Sequence, residues 1–141
     1  MSVSDETLYT DLWSEVRTIL VATAPYITNS TTADTTAAVI NAQYNDKETK
    51  RPQVCILPVD KDESEWKFGS AQGKKMLNII VECWASNSLG VDQLSQQVEH
   101  SLKTTEIGGV SLIAVTSSNA VNIQPDSKYH LKSIAFTYDR E

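Results

Sequence analysis

The chain of 141 residues is poor in the residue types that carry most protein chemistry, with two cysteines, two histidines, five glycines and four prolines. Two cysteines are too few for a disulfide framework or a four-ligand zinc site. Cys55 and Cys83 each lie in an apolar run, where a free thiol behaves as a small hydrophobe, so both are expected to be buried and reduced. A nucleophile needs a base within reach, and histidine is the usual one. His100 falls on the polar side of a predicted helix and His130 points outward from a predicted strand, so neither is expected to carry a reaction. No G-x-S-x-G, H-E-x-x-H, P-loop or G-x-G-x-x-G motif occurs.

Positive charge and long apolar runs are also scarce. Twelve Lys and Arg against eighteen Asp and Glu leave a net charge of −6, which argues against a basic nucleic-acid-binding surface. The local clusters Lys47/Lys50/Arg51 and Lys74/Lys75 read as charged turns. An acidic balance is compatible with DNA passing nearby without adhering. The run ILVATAPYI, residues 19–27, is too short to cross a bilayer. The opening MSVSDE carries acids where a secretory signal needs bases, so a chain retained in the cell that makes it is expected. In such a chain the glycosylation-like Asn29-Ser30-Thr31 has no meaning. The acidic run after Val59 imitates a calcium loop, with Asp60, Asp62 and Ser64 at the first ligand positions. Its sixth position is Glu65 instead of glycine and its twelfth is Ala71 instead of a carboxylate, and the imitation fails at both. No metal, cofactor or enzymatic activity is expected.

What the chain does contain is regular patterning. Leu8, Leu12, Val16, Ile19 and Leu20 recur at helical spacing, with Ser4 as expected N-cap, Asp5 and Glu6 in the first turn and Pro25 as terminator. Residues 28–36, TNSTTADTT, read as a loop, and residues 37–44 as a short strand around Val39 and Ile40. Residues 53–59 read as a strand, with Pro52 and Pro58 pointing to an edge position or a short length. Residues 74–85 give the clearest strand: Leu77, Ile79, Val81, Cys83 and Ala85 fall on one side. Met76, Asn78, Ile80, Glu82 and Trp84 share the other, mixed side, which implies a surface covered in part by another element or another subunit. Asn87-Ser88 caps a second helix with a stripe of Val91, Leu94, Val98 and Leu102, and a wet face that includes Gln93, Gln96 and Gln97. Gly108-Gly109 follows it, and residues 110–115, 120–123 and 129–138 close the chain as strands. The order predicts an α+β fold in one domain over residues 1–141: a mainly antiparallel sheet, two helices packed on one face, and a protruding β-hairpin.

That hairpin is the polar stretch VDKDESEWKFGSAQGKK, residues 59–75, set between two apolar strands. It is far longer than a simple hairpin loop of about 2–5 residues. Two strands running past the body of the sheet cannot bury their own side chains, which leaves Trp66 and Phe68 wet unless another chain covers them. The competing reading is a solvated loop whose aromatics fold back onto the body. The expected contact residues are Asp60, Asp62, Glu63, Glu65, Trp66 and Phe68 on the arm, with Ile80, Glu82 and Trp84 on the mixed face as their complement.

The order of an N-terminal helix, RPQVCILPV, a charged hairpin, KKMLNIIVECWAS, a helix opening GVDQL and closing strands resembles the tail-terminator (tail-completion) proteins of long-tailed phages and related viruses. The stretch NIIVECWASNSLGVDQLSQQVEHSL is similar to their strand–turn–helix, in which an apolar strand ends in a Trp-Ala-like pair. The resemblance spans roughly Leu8 to Tyr138; the Thr-rich residues 28–36 have no counterpart in it. It implies a homo-oligomeric ring, usually hexameric, that caps the tail tube, binds tail-tube and neck or connector proteins, and lets DNA pass through its channel without sequence-specific binding. It also implies a place in the virion tail or neck, reached from the host cytoplasm during assembly. Two other readings fit the residues: another neck, connector or minor tail protein, and a small non-viral cytoplasmic binding module.

Overall fold

The computed structural model describes residues 3–4, 6–45, 47, 51–64, 74–118, 121–122 and 130–140; for 62–64, 74–75 and 121–122 it describes the backbone alone. The first helix, α1, spans Leu8–Thr23 and buries Leu8, Leu12, Val16 and Leu20, the stripe its spacing predicts. Its start differs from expectation. Ser4 is not the cap: the Ser4 amide and the Thr7 hydroxyl both donate to Asp11 Oδ2, at 2.9 and 2.7 Å, and the helix opens after Thr7. Those two donors, Thr7 first, hold the Asp11 carboxyl below the usual carboxylate range. At the other end Ala24 turns left-handed (φ 51°) and its amide bonds Leu20 O before Pro25 forbids another turn. The second helix, α2, spans Ser88–Thr104, is capped by Asn87 Oδ1 on the Gly90 amide at 2.7 Å, and buries Val91, Leu94, Val98 and Leu102.

Among the described residues seven strands make the main sheet: β3 (Val39–Asn41), β4 (Gln53–Ile56), β5 (Asp60–Ser64), β6 (Lys74–Ala85), β7 (Val110–Ser117), β8 (Val121–Asn122) and β9 (His130–Arg140). The path is β3-β4-β6-β9-β7, with β5 paired to β6 and β8 to β9. Every pairing is antiparallel except β3 with β4, which is parallel. This is the expected α+β architecture. Along β6 the predicted alternation holds, and Leu77, Ile79, Val81, Cys83 and Ala85 are all buried. They meet Ile134, Phe136 and Tyr138 of β9 and the stripes of both helices in one core.

β4 and β5 lie end to end along β6. Ile56 pairs Val81 and Asp60 pairs Asn78, so three residues (57–59) oppose two (79–80). Leu57 still donates to Ile80 O at 2.9 Å, whereas Pro58 has no amide to give, and the ladder breaks there.

The Thr-rich stretch is more ordered than the expected loop. Two further strands, β1 (Tyr26–Thr28) and β2 (Thr35–Ala37), pair antiparallel, and the turn is confined to residues 29–34. Asn29 Oδ1 accepts from the Thr31 and Thr32 amides, and Ala33 adopts a left-handed φ of 62°. The ribbon hangs on α2: the Tyr26 and Thr28 amides donate to Gln97 Oε1 and Gln93 Oε1 at 2.8 and 2.9 Å. The two glutamines therefore belong to a contact and not to the wet face.

Candidate assembly surface

The base of the arm is part of the sheet. Asp60 pairs Asn78 and Asp62 pairs Met76, while on the far side of β6 the β9 strand still pairs Met76 through Asp139. Only Glu63 opposite Lys75 and Ser64 opposite Lys74 run past the last pair with β9. The β5–β6 ladder therefore passes the end of the β9 pairing only from residue 63, four residues later than the sequence pattern implies, because β5 replaces β4 as the neighbour of β6. Asp60 is exposed, and its Oδ1 accepts the Lys61 amide at 2.9 Å. Glu65, Trp66 and Phe68 lie outside the described residues.

The expected complement, Ile80, Glu82 and Trp84, does share one face of β6, the face away from the helices. The three are not equally available. Ile80 is open, at 39% exposure, and Glu82 is half-buried. Trp84 is covered from within: the Tyr44 ring packs on it with centroids 4.0 Å apart and planes tilted by 31°. The cover comes from the segment after β3, which must cross this face because β3 and β4 run parallel. Gln53 anchors it, accepting from the Asn45 amide at 2.9 Å and donating to Asn45 O at 2.7 Å. That end of the face is thus closed, with Gln53 and Cys55 fully buried. Of the two covers expected for this face, another element or another subunit, Trp84 meets the first. Nothing local in the sequence marks Tyr44 as its cover.

The rest of the second face is open, small-featured and acidic. Ala135 and Ser133 lie opposite Ile80 and Glu82, and Thr137 Oγ1 donates to Asn78 Oδ1 at 2.9 Å. The charged side chains described on it, Asp60, Glu82 and Asp139, are all acids, while register places Lys74 at its far end. Lys132 points to the opposite face, where its Nζ meets Asp92 Oδ1 at 3.0 Å.

Reaction chemistry finds little to use. Burial, reinforced by neighbouring Glu82, pushes the Cys55 thiol up to about 12, and burial does the same to Cys83, so both stay protonated and unreactive near neutrality. His100 is exposed and His130 is half-buried opposite Ala85. Among the described residues no three His, Cys, Asp or Glu side chains are placed to hold a metal, and no helix is long and apolar enough to cross a membrane. A cleft of about 550 Å³ between α1 and the end of β4 is lined chiefly by apolar groups, with Tyr9, Trp13, Ile56, Pro58 and Val59 among them. Trp13 Nε1 donates to Ile56 O there at 2.9 Å, which fixes the indole as part of the wall.

No protein-family model matches the chain, and a search of curated protein sequences gives no match. Solved structures do match. A chain from the virion of a native gene transfer agent particle superposes with a TM-score of 0.59 at 13% identity, over 92% of this chain and 94% of that one. The two sequences have little in common, yet the α+β fold is shared over nearly the whole of both.

Proposed function

We propose that this chain is a non-enzymatic structural protein of a phage-like virion, and that it forms a ring, hexameric in the simplest case, that terminates the tail tube and joins the tail to the neck. The observation that carries this reading is the fold shared end to end with a virion component. The sequence resemblance to tail terminators supplies the finer role. In the ring, the arm of one copy (Asp60, Asp62, Glu63, Glu65, Trp66 and Phe68) reaches a different patch on the next, centred on Ile80 and Glu82. A closed ring needs such unlike patches, because two identical ones close a dimer. The acidic balance suits a channel through which DNA moves without adhering. Tail-tube and neck proteins are the partners, and the virion tail or neck is the location.

Light scattering and electron microscopy of the pure chain test the ring, with six copies expected. Trp66→Ala with Phe68→Ala should yield single copies; each aromatic is worth about 2 kcal/mol or more at an interface hot spot. An unchanged mass for the double variant removes the arm from the interface. Retention by immobilised tail-tube protein supports a terminator, whereas retention by connector-side protein alone makes the chain another component of the neck.

A further inference from the structure

Among the described residues β5 and β7 are edge strands on opposite sides of the main sheet, and they are built differently. The β5 edge carries Asp60, Lys61, Asp62 and Glu63 in succession. Charge of this kind is what natural edges use against unwanted strand addition. At the other end of the sheet β7 pairs only with β9 among the described residues, and its sequence VSLIAVTS holds neither a charge nor a proline. One bulge, at Ile113, interrupts it, and residues 114–117 then run in regular register opposite residues 134–137. The strand also overhangs the helix layer, since α2 packs over β6 and β9. Leu112 and Val115, which face inward, are only half-buried, and Ile113 is 49% exposed. A shallow cleft beside them is lined by Lys103.

We infer that the outer edge of β7 takes up β5 of a second copy of this chain, so that the sheet continues from one copy into the next. The inference rests on the ring reading and names a strand-to-strand contact within it. Direction favours the pairing. β6 runs antiparallel to β5 and to β9, and β9 runs antiparallel to β7, so β5 and β7 point opposite ways within one copy. Copies related by rotation about an axis along the strands keep those directions, and β7 then meets the neighbour's β5 as an antiparallel pair. Length agrees as well, with five residues in β5 against the four regular residues after the bulge. Charge agrees too: β5 against itself would set carboxylates beside carboxylates, whereas β7 carries no charge to oppose them.

Two substitutions on the exposed side of β7, Ala114→Glu with Thr116→Glu, set carboxylates against those of β5 and should reduce the scattering mass to that of one copy while the circular dichroism stays native. Thr116 and Asp60 lie on the same face of the sheet, so Thr116→Cys with Asp60→Cys should give a ladder of covalently joined chains under mild oxidation, and Thr116→Cys alone should give none. The native thiols are buried and do not compete. Dimers from Thr116→Cys alone would mean that β7 pairs with itself and would overturn the inference. So would a ring that survives both glutamates, which leaves the ring reading intact. A wild-type chain that stays single at all concentrations ends the ring reading, and this inference with it.

Discussion

Gln97 and Tyr26, 71 residues apart, exchange two hydrogen bonds as neighbouring strand residues do: the Tyr26 amide donates to Gln97 Oε1 at 2.8 Å, and Gln97 Nε2 donates to Tyr26 O at 3.2 Å. One helical turn earlier Gln93 does the same for Thr28, accepting from its amide and donating to its hydroxyl at 3.0 Å. Two side chains on a helix thus stand in for a missing strand beside β1. Replacing both by Ala strands two amides, each worth about 0.5–1.5 kcal/mol. The expected outcome is local: hydrogen exchange at Tyr26 and Thr28 speeds up roughly tenfold or more, while exchange in β6 is unchanged. Gln96→Ala, on an exposed position of the same helix, should alter neither.

The ribbon also marks where sequence reasoning reaches its limit. The stripe of α1, the stripe and cap of α2 and the alternation of β6 were legible, because each depends on residues within a few positions of one another. β1 and β2 were not, since a Thr-rich stretch has no apolar pattern and its partners lie on a distant helix. The site divides in the same way. That Ile80, Glu82 and Trp84 share a face follows from a period of two. That Tyr44 closes over Trp84 follows only from the parallel pairing of β3 and β4, a relation between elements. The base of the arm falls between these cases: Pro58 marked a break, but not that β5 would rejoin the same sheet.

Phe136 and Leu89 separate packing from exposure. Phe136 is fully buried at the centre of β9, and Leu89 is 71% exposed in the first turn of α2. Phe136→Ala should lose about 3–5 kcal/mol through lost transfer energy and the cavity left behind. Leu89→Ala should stay within about 0.5 kcal/mol of the parent. Urea unfolding followed by far-ultraviolet circular dichroism measures both. Equal midpoints would contradict the core described here.

Alkaline pH should unfold the protein through groups buried in their neutral forms. Burial raises Cys83 from 9.0 to about 12, burial and Glu82 raise Cys55 likewise, and burial raises Tyr138 from 10.0 to about 12. Well below pH 9 these groups are protonated in both folded and unfolded chains and add no pH dependence. Between about 9 and 12 the unfolded chain loses protons that the folded chain keeps, so stability falls as pH rises through that window. Unfolding free energy should be nearly flat from pH 7 to 8 as far as these groups are concerned, then decline. At pH 8 an aromatic disulfide reagent should find no thiol in the native chain and two in urea. Rapid labelling of the native chain would place a cysteine at the surface.

Tyr44→Ala tests whether the second face is closed by the chain itself. The ring lies 4.0 Å from the Trp84 ring, centroid to centroid, and such pairs contribute about 0.5–1.5 kcal/mol beyond the area they bury. Removing it should open the Trp84 side of the sheet to water. In a Trp66→Phe background only Trp13 and Trp84 emit, and Trp13 is held by its bond to Ile56 O, so a shift reports on Trp84. The variant should emit further to the red and quench more readily with acrylamide, with a modest loss of stability. It should also self-associate more strongly, because the apolar area beside Ile80 is then larger. Unchanged emission and quenching would mean that Tyr44 does not shield Trp84, and would return that indole to the set of residues free to meet a neighbouring copy.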